Sequence, residues 1–239
     1  MNFYTYRTAC TSEVPPIDGR VEGIIIPEGV STDATVDFYF HGLDQENLVS
    51  GTDHFVADYA NQMGLLDKIK ESAENQEVLI LLTGSNNHKA VNEGGNADSW
   101  MQDGGSDGKS RFNCFYEEAL HNLNTLGVNP TAISLLGHSN GGNTIKNIVA
   151  ENTFLSEQPL PLKDVILFDA CYGDWCETIY DSVNSILTKE LFVYYGDGTK
   201  TGSEKIESNE NVNIQYVTFN HMDIPKKCLT DHLTGDACA

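Results

Sequence analysis

Ala132-Ile133-Ser134-Leu135-Leu136-Gly137-His138-Ser139-Asn140-Gly141-Gly142 is the stretch on which the fold turns. Its first five residues read as a buried strand. From Asn143 to Phe154 the apolar residues Ile145, Ile148 and Val149 recur at helical spacing. Between strand and helix stands Gly-x-Ser-x-Gly, centred on Ser139. A tight strand-to-helix turn crowds the residues two positions before and after its serine. Glycine at 137 and 141 removes the side chains that would clash. The helix that starts after Ser139 turns its free N–H groups toward the serine, which favours developing negative charge there. Ser139 is thus the candidate nucleophile.

Working outward, strand-like runs alternate with helix-period segments. Strands are expected at Val21–Ile26, Thr35–Phe40, Glu77–Leu82, Ala132–Leu136, Asp164–Phe168, Glu190–Tyr195 and Val212–Phe219. Helices are expected at Asp53–Leu66, Phe112–Leu126, Asn143–Phe154, Glu177–Leu187 and Pro225–Leu233. The run EVLILL is unbroken apolar, as strands covered on both faces are. Such alternation implies crossover units and a mostly parallel sheet with helices on both faces, an α/β class. No linker or charge block marks a boundary, so one domain over residues 1–239 is expected. Residues 84–110 interrupt the pattern with a long Gly/Asn/Asp-rich loop. It follows a strand at the end where ligands bind in open parallel sheets, and Trp100 in it is a candidate substrate contact. Its spacing does not match a calcium-binding EF-hand loop.

Composition narrows the function. The 239 residues include 14 Lys+Arg against 35 Asp+Glu, a formal net charge of −21. That argues against nucleic acid and anionic membranes, both of which need a basic face. No apolar run is long enough for a transmembrane helix. The segment Met1–Arg7 lacks a basic region followed by an apolar stretch, so it does not read as a signal peptide. A cytoplasmic protein and an exported one without its leader both fit. The six cysteines (Cys10, Cys114, Cys171, Cys176, Cys228, Cys238) include two pairs close enough in sequence for short-loop bridges, Cys171/Cys176 and Cys228/Cys238. No zinc-type spacing and no nucleotide-binding glycine motif is present, so neither metal nor organic cofactor is expected.

The order of elements and the glycine-flanked serine resemble the α/β-hydrolase superfamily, specifically its small, lid-poor lipase/esterase-like members. The resemblance runs from Val21 to Leu233 as strand–helix order and is specific at three short motifs. The second is His41-Gly42-Leu43 after the strand TVDFYF. In the superfamily an H-G pair ends the third strand, and the next backbone N–H helps form the oxyanion hole. Carried over, the donors are the N–H groups of Leu43 and Asn140, and His41 itself reads as structural. The third is His221, just after the last strand, where the superfamily places its base. A near-neutral pKa lets an imidazole take the serine proton and return it.

The acid has two main candidates. Asp169 ends the strand DVILF, and Asp197 follows ELFVYY within Gly196-Asp197-Gly198. The commonest superfamily position favours Asp197. Its Gly-Asp-Gly setting departs from the usual pattern and reads as a turn. Pancreatic-lipase-like enzymes use the earlier strand, which Phe168-Asp169-Ala170 resembles, so Asp169 is preferred. Asp174 and Asp223 are lesser candidates. Only Cys171–Lys189 fits between the fifth and sixth expected strands, so no large lid is expected.

The resemblance implies a serine hydrolase that cleaves carboxylic esters, small or polymeric, through an acyl-enzyme. An amidase, peptidase or acyltransferase with the same triad is the alternative. A catalytically silent binding protein on the same fold is the other.

Overall fold

The computed structural model describes residues 2–7, 21–30, 32–42, 60–61, 77–82, 111–150, 160–186, 190–234 and 238. The expected helix at 53–66, the loop at 84–110 with Trp100, and Leu43 lie outside the described residues, apart from residues 60–61 of that helix. Eight strands form one sheet: β1 (Asn2–Arg7), β2 (Val21–Ile26), β3 (Asp33–Phe40), β4 (Glu77–Leu82), β5 (Asn129–His138), β6 (Leu162–Phe168), β7 (Leu191–Tyr195) and β8 (Val212–Tyr216). Among the described residues the helices are α1 (Arg111–Thr125), α2 (Gly141–Ala150), α3 (Trp175–Val183), the short α4 (Lys200–Ser203) and α5 (Asp223–Thr234).

The strand order is β1-β2-β4-β3-β5-β6-β7-β8. Strands β3 to β8 run parallel, and β1 and β2 are antiparallel to their neighbours. From β3 the chain goes to β4 on one side and then returns to β5 on the other. That reversal is a topological switch point, and it opens a crevice at the carboxyl ends of β3 and β5.

Both faces of the sheet are covered. Val36, Phe38 and Phe40 of β3 and Leu135 of β5 face Phe112, Phe115 and Tyr116 of α1 and Ile145 and Ile148 of α2. Phe38 meets the edges of Phe112 and Phe115 at 5.9 and 6.2 Å between centroids. Tyr39, Leu136, Ile166 and Phe168 project the other way, onto Ile224, Cys228 and Leu229 of α5. Burial on both faces is why these strands read as continuous apolar runs rather than alternating ones.

Some boundaries differ from the sequence expectation. Strand β1 was not expected. Its aromatic and Thr content suits a strand, but only its pairing with β2 makes it one. Strand β8 stops at Tyr216 rather than Phe219. The Val217 N–H still donates to the Tyr195 carbonyl at 2.9 Å, after which the chain leaves the ladder. Helix α1 ends as predicted near Gly127, which takes φ 85° while the Val128 N–H closes back on the Leu123 carbonyl. The two short-loop disulfides, Cys171–Cys176 and Cys228–Cys238, are both formed, and Cys114 is also disulfide-bonded. Among the described residues no helix is long and apolar enough to cross a membrane.

A buried charge cluster sits below the crevice. Lys163 is 2.7 Å from Glu77 and 3.6 Å from Asp164, and Asp37 adds a third carboxylate beside them. Burial first, and then the charge of Glu77, hold the Asp37 pKa well above the ordinary carboxylate value. Its unfolded pKa is lower, so stability falls as pH rises from about 4 toward the raised native value. Asp37→Asn keeps the size and the hydrogen bond to Ser134 and removes one of three carboxylates competing for one ammonium. The variant should be more stable at pH 7 by about 1–3 kcal/mol, with the gain vanishing below about pH 4. Denaturant unfolding at both pH values checks this, and a loss of stability at pH 7 would refute it.

Candidate active site

The site grows from the last rungs of the β5–β6–β7 ladder. Where β5 ends, the Ser139 N–H donates to the Phe168 carbonyl at 3.2 Å. Where β6 ends, the Asp169 N–H donates to the Tyr194 carbonyl at 2.7 Å. Ser139 (φ 54°) and Asp169 (φ 47°) are the only non-glycine residues with positive φ among those described. Each such conformation costs roughly 1–3 kcal/mol and persists only where the surroundings impose it. The imposition at Ser139 is visible in its glycines. A Cβ on Gly141 would sit on the Phe40 carbonyl oxygen, and one on Gly137 would be 2.7 Å from Ile145 Cδ1.

Asp169 is 3% exposed and its carboxylate is fully engaged. Oδ2 lies 2.5 Å from His221 Nδ1. Oδ1 accepts the Gly196 N–H at 2.9 Å and the Thr199 hydroxyl. Burial alone would raise the Asp169 pKa, but the hydrogen bonds from His221, Thr199 and Gly196 outweigh it and leave the pKa lowered. His221 follows β8 on the turn before α5, with its side chain 37% exposed.

The Gly42 backbone lies against the serine: a Cβ there would be 2.8 Å from Ser139 Cβ and 3.3 Å from its Oγ. Thus the His41-Gly42 segment at the end of β3 and Asn140 at the head of α2 flank Ser139. The Asn140 carbonyl accepts the Asn143 and Thr144 N–H groups at 3.0 and 3.3 Å, which leaves its own N–H in the unpaired first turn of the helix. His41 is buried, with Nδ1 2.6 Å from the Gly42 carbonyl.

No protein-family model matches the sequence, and no curated protein sequence matches it. Solved structures do match the backbone. An S-formylglutathione hydrolase from Agrobacterium tumefaciens superposes with a TM-score of 0.60 at 12% identity, over 98% of this chain and 92% of that one. An IroE-like serine hydrolase from Shewanella oneidensis gives 0.57 at 14% identity, over 97% and 79%. The carboxylesterase EstE1 from a metagenomic library gives 0.54 at 12% identity, over 97% and 87%. The chain has the α/β-hydrolase fold.

Within this α/β-hydrolase fold, Ser139, Asp169 and His221 come from three separate strand ends and share one sheet edge. The other aspartates lie elsewhere. Asp197 accepts the Tyr216 hydroxyl at 2.9 Å on an exposed turn. Asp223 is tied to Asn220, and Asp174 precedes α3 without capping it through its side chain.

Sequence reading missed the supporting residues. The turn after β7 supplies the donors to the Asp169 carboxylate, Gly196 and Thr199. A hydroxyl residue just beyond a strand end was the available signal. Tyr172 was also missed. Burial, and then the charge of Asp169, raise its pKa, while a hydrogen bond with the Ser139 side chain opposes the rise, so Tyr172 is neutral at working pH. Tyr172 meets Trp175 edge-on at 5.3 Å inside the loop closed by Cys171–Cys176. The loop is wedged in place, because a Cβ on Gly142 would sit on the Ala170 carbonyl oxygen and one on Gly202 on that of Cys171.

Among the described residues no cluster of His, Cys, Asp and Glu is arranged to hold a metal ion. A cavity of about 440 Å³ opens at the other end of the sheet, where Leu191 and Val212 begin β7 and β8. It lies away from Ser139 and carries none of the groups just described.

Proposed function

We propose that the chain is a serine hydrolase of carboxylic esters, with residues 1–239 forming one catalytic domain. The observation that carries this reading is the 2.5 Å contact of His221 Nδ1 with the buried Asp169 carboxylate, at the sheet edge where the Ser139 hydroxyl is held out on a strained turn. The hydrolase and esterase names of the structural neighbours support it.

In this mechanism Asp169 keeps the His221 proton on Nδ1, so Nε2 is free to accept. Ser139 Oγ gives its proton to Nε2 and bonds the ester carbonyl carbon, and the carbonyl electron pair moves to oxygen. The N–H groups of Leu43 and Asn140 hold that oxyanion. The alcohol leaves with the proton from His221. Water repeats the sequence, releases the acid and restores Ser139. Uncharged esters suit the site best, because a net charge of −21 repels anionic ones. Tyr172 lies beside the serine, with Trp175 packed edge-on against its ring.

The test is intact mass after incubation with a fluorophosphonate, alongside turnover of a p-nitrophenyl butyrate and its matched anilide. One adduct per chain with faster ester than amide cleavage is expected. A folded protein with neither adduct nor turnover would refute the reading. Faster anilide cleavage would replace ester with amide.

A further inference from the structure

We propose that His138 is a positioning residue for His221, setting both the backbone and the ring plane of the base. This rests on the serine-hydrolase reading. His138 is the last residue of β5, adjacent to Ser139, and 2% exposed. Its Nε2 lies 3.1 Å from the His221 carbonyl oxygen. A carbonyl oxygen can only accept, so Nε2 carries the proton and Nδ1 is bare. That buried Nδ1 has no hydrogen-bond partner. The two imidazoles pack with centroids 4.6 Å apart and planes tilted by 36°.

These contacts supply what the rest of the site lacks. His221 sits beyond the end of the ladder, on a turn held mainly by Asn220, whose side chain accepts the Met222 and Asp223 N–H groups at 3.1 and 3.2 Å. Asp169 grips His221 at one atom, Nδ1. A ring held at one atom can still swing about that hydrogen bond, and the swing would carry Nε2 away from Ser139. Packing of one face against His138 blocks the swing, and the Nε2–H bond pins the peptide that carries the ring.

A histidine is the residue that provides a flat ring and an N–H donor together without bringing charge. A charged imidazole here would face the imidazolium that forms on His221 during turnover. Burial, and then the proximity of His221, lower the His138 pKa to about 3, so it stays neutral. The orphaned Nδ1 carries a desolvation cost that an apolar residue would not have.

Two variants separate the two contacts. His138→Phe keeps the ring and drops the donor, and His138→Gln keeps an N–H donor and drops the ring. Each is checked for fold by circular dichroism. Each is then assayed for kcat and KM on p-nitrophenyl butyrate, and by proton NMR for the low-field Nδ1–H resonance of His221, assigned by its loss in His221→Gln. The expected result is a kcat at least tenfold lower with KM within twofold, and a shifted or broadened resonance, in at least one folded variant. Loss in His138→Gln alone would assign the effect to the ring, and loss in His138→Phe alone to the hydrogen bond. Wild-type kcat in both variants would overturn the proposal. If the wild type itself turns over no ester, the serine-hydrolase reading fails. The resonance then decides the positioning role by itself, and an unmoved signal in both variants overturns it.

Discussion

Ser139→Ala is expected to abolish the fluorophosphonate adduct and to lower kcat for p-nitrophenyl butyrate by about 10⁵-fold or more, with the fold intact. The size follows from the role: without Oγ there is no acyl-enzyme, and only the oxyanion donors and substrate binding remain to speed attack by water. The fold should survive because the backbone constraints on the turn do not involve Oγ. The Phe168 carbonyl receives the Ser139 N–H, Gly42 lies against its Cβ, and Gly137 and Gly141 let the turn pack tightly on Ile145 and the Phe40 carbonyl. Alanine tolerates positive φ no better than serine, so the strain stays and little stability changes. Mass spectrometry and steady-state kinetics on the two proteins decide it. Retained labelling would place the nucleophile elsewhere.

Asp169→Asn should lower kcat by about 10⁴-fold, whereas Asp197→Asn should change it less than twofold. The asparagine can keep its oxygen toward the Gly196 N–H and the Thr199 hydroxyl, which donate to Oδ1 of the aspartate. Its amide nitrogen then faces His221 Nδ1, and two N–H donors cannot pair. His221 must move its proton to Nε2, where it can no longer accept from Ser139. Asp197 has no such link, since its carboxylate accepts the Tyr216 hydroxyl on an exposed turn. The same substitution carries a pH signature. The Asp169 pKa is lowered in the native state, so its interactions stabilise the fold above about pH 4, and that stability is lost as pH falls through the lowered value. Asp169→Asn should therefore flatten the acid limb of the stability curve. Equal kcat losses in both variants would refute the assignment.

The strands at the centre of the sheet were legible because burial on both faces leaves unbroken apolar runs, and EVLILL of β4 has no other good reading. The turn at Ser139 was legible because its sterics demand glycine at fixed spacing, and the contacts of Gly137 and Gly141 show that demand. Strand β1 was not legible, since an edge strand owes its state to a partner distant in sequence. The supporting groups were hidden for a similar reason. Thr199 meets Asp169 thirty residues away, and His138 meets His221 eighty-three away. Neither pair has a spacing that recurs or a residue type that is rare.

By itself, then, the order of residues determined the α/β class, the strand that carries Ser139, and a histidine after the last strand, because each depends on local sterics or periodic burial. The tertiary structure decided which carboxylate His221 meets. Asp169 and Asp197 both follow the ends of neighbouring parallel strands, and pattern alone ranked Asp169 first without showing a partner for either. They differ in where the side chain is aimed: a positive φ at Asp169 turns its carboxylate to His221, while Asp197 lies on an exposed turn bonded to Tyr216. That direction is set by the Tyr194 carbonyl, the Gly196 N–H and Thr199, groups from a neighbouring strand and the turn beyond it that only packing brings into reach.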